Sequence, residues 1–372
     1  MLAIQKLGDI PGRRTRFPRI EHSFGQSAPF SVGVEEELLL VDAGTLLPVA
    51  ASARVVERAG EGVKHELLAS FVETATDVCE SPREAAEQVW SLRRRVFDAC
   101  EAEGLRALAI GSHPFGTPET TPVVENADYL EFKAAAGPVA RRQGVCGLHV
   151  HVGMPDPDTC FRAHEGVLPW LPVVLAVAAN SPWFRGEATG LLSTRAEVLA
   201  TLPRSGVPPT FASWEDWVHT MERWQRAGVL RKPTQTWWDV RMHPALGTLE
   251  LRAPDQPTDP RLAGALVALL HALGVWAANG DGRPASRADA HSNRFFASRF
   301  GPRAQLIHPN EDRSASATEL FAELRELVAP YADLELLEPL DGASCEADLQ
   351  LAAGDPHTAC ADAVERSLAS PG

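Results

Sequence analysis

The chain has 372 residues and a formal net charge of −14 at pH 7, a length that allows one large domain or two ordinary ones. The excess of acidic side chains argues against nonspecific binding to nucleic acids, although local basic pockets for phosphate remain compatible with it. No apolar run is predicted to be long enough to cross a bilayer and no secretory leader opens the chain, so we expect a cytoplasmic protein without membrane contacts. The six cysteines fit no zinc motif or disulfide scaffold and are predicted to be reduced thiols.

The stretch through Ala28 mixes Arg, Pro, Gly and Ser without periodicity and is predicted to be flexible and partly disordered. The segment that follows, residues 32–40, has the pattern of a strand with three consecutive carboxylates at its centre. Since side chains alternate between the two faces of a strand, Glu35 and Glu37 share one face and Glu36 lies on the other. Carboxylates side by side on an apolar strand are costly unless a partner such as Mg²⁺ neutralises them. The alternative is an exposed acidic edge strand, which the apolar residues directly after the acids disfavour.

Capping, turn and periodicity signals divide the rest of the chain into helices and strands. In chain order they predict a helix from the Ser81 cap to Gly104, a strand at 105–111, a helix at 129–143 broken near Gly137, a strand at 145–153, a buried helix at 167–180, a helix from the Ser213 cap to Gly228, strands at 237–241 and 248–253, and helices at 259–279, at 318–328 and after Asp355. The order lacks the strict alternation of a parallel sheet, and no Rossmann or P-loop glycine motif is present. The pattern therefore predicts an α+β fold with an antiparallel sheet packed by helices on one face.

Four strand-like segments carry polar residues of the types that bind metals and phosphates. These residues are Glu35 and Glu37, Glu66 and Glu73, His149 and His151, and Glu250 and Arg252. Glu66 and Glu73 are seven residues apart and would need a bend or bulge between them to serve one site. Many carboxylates, one or two histidines and a placed arginine suit Mg²⁺ with a nucleoside triphosphate, because carboxylates hold the metal and the arginine stabilises the transferring phosphoryl group.

Each of these motifs alone has other interpretations. A His-x-His pair on a strand also occurs in zinc hydrolases and is often structural. Glu250 and Arg252 could pair with cross-strand neighbours. A metal-dependent amide hydrolase would use the same cluster without nucleotide, and a non-catalytic nucleotide-binding protein would bind ATP without turnover.

Taken together, six motifs resemble one known family, the type 2 glutamate–cysteine ligases, a group of carboxylate–amine ligases. They occur in the family's order between about residues 30 and 310, at 32–37, 65–76, 146–153, 179–182, 238–241 and 249–252. The resemblance implies a glutamine-synthetase-like catalytic fold, in which an antiparallel β-sheet packed by helices forms an active-site funnel for ATP, a metal ion and an amino acid.

The resemblance also implies roles for individual positions. Metal ligands would be Glu35, Glu37, Glu66, Glu73, His149 and Glu250; catalytic residues would be Arg252, Glu73 and Arg195; cofactor-binding residues would be Arg252, Asn293 and Arg294. Arg252 would contact phosphate, and Arg195 would contact a substrate carboxylate or phosphate. One departure is Ser292, where the family usually has Glu before the Asn, which puts the local hydrogen bonding in doubt.

The implied reaction joins glutamate or a similar acid to an amine such as cysteine in an amide bond. It would consume ATP with Mg²⁺ or Mn²⁺, pass through an acyl phosphate and release ADP and phosphate. We expect small-molecule substrates, and the amine and the oligomeric state stay open. The predicted organisation is a flexible segment at 1–28, a catalytic domain at 29–312 and a helical segment at 313–372 packed on it.

Overall fold

The computed structural model describes residues 20–280 and 286–369. Its strands are β1 (Val32–Asp42), β2 (Val63–His65), β3 (Phe71–Ala75), β4 (Leu105–Leu108), β5 (Leu148–Gly153), β6 (Trp183–Phe184), β7 (Glu187–Ala188), β8 (Ser205–Gly206), β9 (Trp237–Trp238), β10 (Val240–His243), β11 (Thr248–Leu251), β12 (Gln305–Ile307) and β13 (Ser314–Ser316). Seven of them form the main sheet in the order β10-β11-β5-β1-β3-β2, with β4 also paired to β1. Every pairing in this sheet is antiparallel, as predicted.

The helices in the described residues are α1 (Ser52–Ala59), α2 (Pro82–Ala102), α3 (Ala127–Ala136), α4 (Pro157–Val167), α5 (Leu171–Val177), α6 (Thr194–Leu199), α7 (Trp214–Arg226), α8 (Pro260–Ala278), α9 (Arg287–Phe300), α10 (Ala317–Val328), α11 (Glu346–Ala352) and α12 (Pro356–Ser367). Seven of them, α2, α3, α5, α7, α8, α10 and α12, correspond to predicted ones, whereas α1, α4, α6, α9 and α11 were not predicted. The Ser81 side chain accepts from the backbone N–H of Glu84 and caps α2 as expected. The helix expected at 167–180 starts instead at Pro157 and breaks into a 3₁₀ turn at Leu168–Trp170, next to the proline that removes a backbone donor.

Strand β1 lies inside the sheet, so the edge-strand alternative is wrong. It pairs with β5 on one side, where Glu35 lies opposite His149, and with β3 on the other, where Glu37 lies opposite Glu73. Further along, β1 also pairs with β4. The predicted alternation holds along the strand, because Glu36 is fully buried on the face opposite to its two neighbours.

One face of the sheet packs on helices α2 and α8. Val34, Val150 and Leu249 belong to the largest apolar cluster together with most of α8. Helix α8, with 19 residues, is long and apolar enough to cross a membrane. The prediction that no apolar run reaches that length was therefore wrong. However, 83% of the most apolar 18-residue segment of α8 is buried inside the fold. Such burial is typical of a core helix.

The other face of the sheet has two parts. Near β4, Leu39 and Leu108 are covered by an apolar cluster that includes Cys360 and Val364 of α12. Near the middle of β1, β3, β5 and β11, the same face carries polar side chains and opens into a cavity. The fold thus closes one half of this face and leaves the other accessible.

The described residues near the two ends of the chain pack on the rest of the fold. Residues 1–19 lie outside the described residues, while Phe24 is buried and the backbone N–H of Gly25 donates to the carbonyl of Met154. At the other end, α10 packs on α5 and α8, and α12 packs on β4. The boundaries at 28 and 312 remain predictions. All six cysteines are buried and free of disulfides.

Candidate active site

A cavity of about 440 Å³ opens on the polar half of the sheet. Its charged and histidine lining consists of Glu35, Glu37, Lys64, Glu66, Glu73, Asp128, His149, Arg195, Lys232, Arg241 and Arg252. Every one of these side chains in the sheet comes from a position that alternates away from the helix-packed face. The cavity therefore exists because five strands present their polar faces on the same side.

The first group of acids joins β1, β3 and the loop between β2 and β3. Glu37, Glu66 and Glu73 place ligand-type oxygens within 4.8 Å of one another. Glu37 and Glu73 are cross-strand partners, and Glu66 lies in the bend that follows β2. The chain turns between β2 and β3 and so brings Glu66 close to Glu73, while their shared role at one site stays a prediction.

A second group joins three neighbouring strands of the sheet. Glu35, His151 and Glu250 also place ligand-type atoms within 4.8 Å of one another. They come from β1, β5 and β11, and His151 lies directly opposite Glu250 in the register. His149 lies between the two groups, with Nδ1 3.5 Å from an oxygen of Glu35 and Nε2 4.0 Å from an oxygen of Glu37.

The two groups differ in charge because only the second is flanked by arginines. Burial raises the pKa of Glu66 to about 7, helped by the neighbouring charge of Glu37. Burial likewise raises the pKa of Glu73 well above its usual value. Burial acts in the same direction on Glu250, but Arg241 and Arg252 hold its pKa well below the usual range. In the second group, arginines pair directly with Glu250, whereas the cation in contact with the first group is the partly exposed Lys64, which pairs with Glu73.

The donor set fits a divalent cation. Carboxylate oxygens and imidazole nitrogens are ligands that such ions use, and Mg²⁺ and Mn²⁺ favour the oxygens. The Nε2 atoms of His149 and His151 are both buried, and no hydrogen-bond partner for either lies within residues 20–280 and 286–369. An unpartnered buried polar atom is costly unless a ligand takes the position. Glu37, Glu66 and Glu73 would hold one ion, and Glu35, Glu250 and a histidine a second.

The geometry adds His151 to the predicted set, since it shares a group with Glu35 and Glu250. It is also held by Thr248, whose hydroxyl lies 2.9 Å from His151 Nδ1. His149 borders both groups, and its role as a metal ligand stays a prediction. The two histidines share the polar face of β5, as their spacing indicated.

Arg252 and Arg241 both bind the carboxylate of Glu250. Arg241 donates to it through Nε and a terminal nitrogen at 2.7 and 2.8 Å, and Arg252 donates to one of the same oxygens. The cross-strand pairing that the sequence left open therefore exists, with Arg241 opposite Glu250. Arg252 also has a terminal nitrogen 3.4 Å from His149 Nδ1, which places its guanidinium beside the predicted metal ligands.

Arg195 reaches the same cavity from α6. Its terminal nitrogens donate to the carbonyls of Ala253 and Arg252 at 3.3 and 3.2 Å, and its Nε has no partner among the described residues. The guanidinium lies against Gly147, where a Cβ atom would come within 2.0 Å of it. Only glycine fits at this position, because any side chain there would displace Arg195.

The two other predicted cofactor-binding residues lie elsewhere in the described structure. Asn293 exchanges hydrogen bonds with the backbone of Ile307. Arg294 binds Asp239, Glu197 and the carbonyl of Ala196. Neither lines the cavity, and their expected contacts with a cofactor stay a prediction. Ser292 is exposed.

The far wall of the cavity is aromatic and aliphatic. Phe132 of α3 and Trp237 of β9 have ring centroids 5.0 Å apart, and both line the cavity together with Leu199 and Leu202. Ion pairs hold α3 to the loop before β9, at 2.8 Å for Lys232 with Asp128 and 2.5 Å for Arg231 with Glu131. The cavity thus combines charged side chains with aromatic and aliphatic ones, a combination typical of small-molecule sites.

Sequence reasoning assigned no role to Lys64, Arg241 or Arg93. Lys64 and Arg241 line the cavity, and Arg93 neutralises Glu36 behind it. A register signal could have found Arg241, since it lies opposite Glu250 once β10 and β11 are paired. Nothing in the spacing of Arg93 or Lys64 indicates their partners, which lie on other elements.

Comparisons with known proteins point to one family. A family model described as glutamate–cysteine ligase family 2 matches residues 31–340. A protein of Rubrobacter xylanophilus with the provisional name glutamate–cysteine ligase 2-3 is 39% identical over 339 residues, 89% of this chain and 90% of its own length. A second protein of that organism, provisionally named glutamate–cysteine ligase 2-1, is 34% identical over 340 residues, 87% of this chain and 90% of its own length.

A solved structure shares the fold. The glutamate–cysteine ligase of Francisella tularensis, in complex with AMP, superposes with a TM-score of 0.66 at 10% identity and covers 92% of this chain and 90% of its own. At such low identity the likeness concerns the fold alone. It confirms the predicted class, a glutamine-synthetase-like α+β fold with an antiparallel sheet packed by helices.

Proposed function

The chain belongs to the glutamate–cysteine ligase family 2, and from that premise we propose that it is an ATP-dependent carboxylate–amine ligase. One observation carries the proposal: the acids Glu37, Glu66 and Glu73, the acid Glu35 and the guanidinium of Arg252 line a single cavity. The buried side chains of His151 and Glu250 place ligand-type atoms within 4.8 Å of Glu35. That combination suits phosphoryl transfer, in which positioning and charge stabilisation supply most of the rate.

The proposed reaction has two steps. The side-chain carboxylate of glutamate or a similar acid attacks the γ-phosphorus of ATP, the bond to the β,γ-bridging oxygen breaks, and ADP leaves. The product is an acyl phosphate. An amine such as that of cysteine then forms the C–N bond and loses a proton, while the C–O bond breaks and phosphate leaves with one former carboxylate oxygen.

A divalent metal bound by the two groups would supply positive charge for the phosphate oxygens. The chain's own residues do the rest. Arg252 lies beside the metal ligands, where its planar fork suits a phosphoryl group. Arg195, with an unpartnered Nε, is placed to orient a substrate carboxylate or phosphate. Glu73 would act in the same centre, and the apolar wall at Phe132 and Trp237 would exclude water from the opposite end.

A nucleotide assay tests the proposal. With Mg²⁺ and ATP, sustained ADP release should require both a carboxylate and an amine, because the acid alone supports at most the first step, and a panel of acids and amines should identify the pair. With ¹⁸O in the carboxylate, one label should appear in phosphate. Label in AMP would overturn the acyl phosphate, amide cleavage without nucleotide would favour a metal-dependent hydrolase, and ATP binding without ADP release would favour a non-catalytic relative.

Three wider features complete the proposal. The catalytic unit would extend over residues 29–312, with 313–372 packed on it. The compartment would be the cytoplasm. The substrates would be small molecules, and a homo-oligomer remains compatible with the proposal.

A further inference from the structure

Lys64 lies at the entrance to both groups of metal-binding side chains. It belongs to the short strand β2, directly opposite Glu73 of β3. Its ammonium is 2.6 Å from an oxygen of Glu73 and 3.3 Å from an oxygen of Glu35. Glu73 belongs to the first group and Glu35 to the second. A single side chain therefore touches one carboxylate of each proposed metal site.

The charges around Lys64 explain its position. Glu35, Glu37, Glu66 and Glu73 crowd together, and like charges at such distances repel one another. Arg241 and Arg252 are both committed to Glu250. Burial acts to lower the pKa of Lys64, yet Glu73 and Glu35 raise it well above its usual value. The lysine is thus a cation held in place by carboxylates that a metal would also bind.

We propose that the ammonium of Lys64 is an internal counter-cation that binds Glu35 and Glu73 in the metal-free protein and that a divalent ion must displace. The inference rests on the proposed function only in assigning these carboxylates to metal ions. The side chain is 54% exposed, so it can turn toward solvent without backbone movement. Lys64 would keep the acidic site intact when empty and lower its affinity for metal.

The same cavity offers a matched control. Lys232 also lines it, its side chain is 52% exposed, and its ammonium is 2.8 Å from Asp128. Asp128 belongs to neither group of metal-binding side chains. Lys232→Met therefore removes the same charge from the same cavity without freeing a proposed ligand. Any difference from Lys64→Met isolates direct competition from the general effect of lost positive charge.

Titration with Mn²⁺ in the absence of nucleotide tests the inference. Calorimetry should show that Lys64→Met binds Mn²⁺ about two- to tenfold more tightly than the wild type, the range set by losing a partly exposed ion pair. Lys232→Met should stay within about twofold of the wild type, and Lys64→Arg should not gain affinity. In EDTA, Lys64→Met should unfold at a lower temperature, and added Mn²⁺ should raise that temperature more than in the wild type.

Unchanged or weaker Mn²⁺ binding by Lys64→Met would overturn the inference, as would an equal gain in Lys232→Met. If Lys64→Met does not fold in EDTA, Lys64→Gln and Lys64→Arg carry the test, and tighter binding by the arginine variant would contradict displacement. If none of the proteins binds Mn²⁺, the carboxylates are not a metal site and the inference falls. A wild type that binds Mn²⁺ but releases no ADP would remove the proposed ligase activity and leave the role of Lys64 intact.

Discussion

The adjacent carboxylates of strand β1 lie on opposite faces of the sheet and differ in their ion-pair partners. On the helix-packed face, Glu36 is fully buried against Arg93 of α2, which also donates to the carbonyls of Thr258 and Pro257. A further hydrogen bond comes from Gln256 at 2.7 Å. On the cavity face, Glu35 and Glu37 have no arginine of their own and share space with other acids.

The difference separates a structural charge from a functional one. The pair of Glu36 and Arg93 is complete within the protein, so it fixes the register and orientation of β1 and needs no ligand. On the cavity face, Arg241 and Arg252 pair with Glu250, but among the described residues Glu35 and Glu73 pair with the partly exposed Lys64, and the remaining like-charge repulsion favours the binding of added cations. One strand thus stabilises the fold through one face and holds the proposed chemistry on the other.

Removing the metal should have the largest effect. We expect EDTA to reduce ADP release to background, and Mg²⁺ or Mn²⁺ to restore it, while circular dichroism shows a folded protein. The reason is that only the cavity face depends on added cations. Full activity in a metal-stripped sample would contradict the comparison, and restoration by Zn²⁺ alone would favour the hydrolase.

Substituting one carboxylate on each face should separate activity from stability. Glu37→Gln keeps an oxygen that can accept from the backbone N–H of Gly147 but loses the charge, so turnover should fall by roughly a hundredfold or more without lower stability in EDTA. Glu250→Gln should also lose turnover.

Glu36→Gln is the matched substitution on the opposite face. It leaves the buried guanidinium of Arg93 without its counter-charge and should lower the free energy of unfolding by about 3 kcal/mol, measured by urea denaturation. Activity per folded molecule should change little. The comparison would fail if Glu36→Gln lost turnover while keeping its stability.

The two histidines of β5 sharpen the description of the cavity face. His149→Ala should reduce turnover about as strongly as Glu37→Gln, whereas His151→Ala should matter less, because only His149 matches the family's ligand position. The geometry groups His151 with Glu35 and Glu250. A larger loss in His151→Ala would assign the ligand by geometry and show that the motif was aligned wrongly.

Arg252 tests whether the cavity's arginines act on phosphate. Arg252→Lys keeps the charge but loses the planar fork, and we expect turnover to fall by roughly a hundredfold, as for loss of one transition-state donor. Steady-state ADP release measures this. A near-normal rate would show that Arg252 has no role in catalysis. It would then be a structural ion-pair partner of Glu250, as Arg93 is of Glu36.

The smallest expected effect is the pH dependence of the unfolding free energy of the metal-free protein. The pKa of Glu66 is raised to about 7 by burial and by Glu37, so the folded protein binds more protons than the unfolded chain between the ordinary pKa of Glu and 7. Its stabilising contribution is full below the unfolded value and is lost as pH rises through 7. In EDTA, unfolding free energy should drop by roughly 1–2 kcal/mol from pH 5.5 to 8.

Glu66→Gln provides the control for this pH dependence. The amide does not ionise, so the decline in stability between pH 5.5 and 8 should become smaller, with a remainder from Glu73, whose pKa is also raised by burial. Saturating Mn²⁺ should flatten it as well, because the ion stabilises the ionised carboxylates. An undiminished slope in Glu66→Gln would assign the pH dependence to other groups.

The sequence by itself determined the faces and most of the elements. Alternation alone separated Glu36 from Glu35 and Glu37, because the side-chain period of a strand is two whatever its neighbours are. Motif order identified the family, and capping signals located helices such as α2 and α8. These features are local, so they can be read from consecutive residues.

Only the tertiary structure decided which residues meet. The register of β10 against β11 places Arg241 opposite Glu250. The turn after β2 brings Glu66 close to Glu37, and the packing of α2 on the sheet pairs Arg93 with Glu36. The same packing left Asn293 and Arg294 outside the cavity despite their motif. Such pairings join positions from 9 to more than 50 residues apart, and they depend on the chain's path, which local periodicity does not encode.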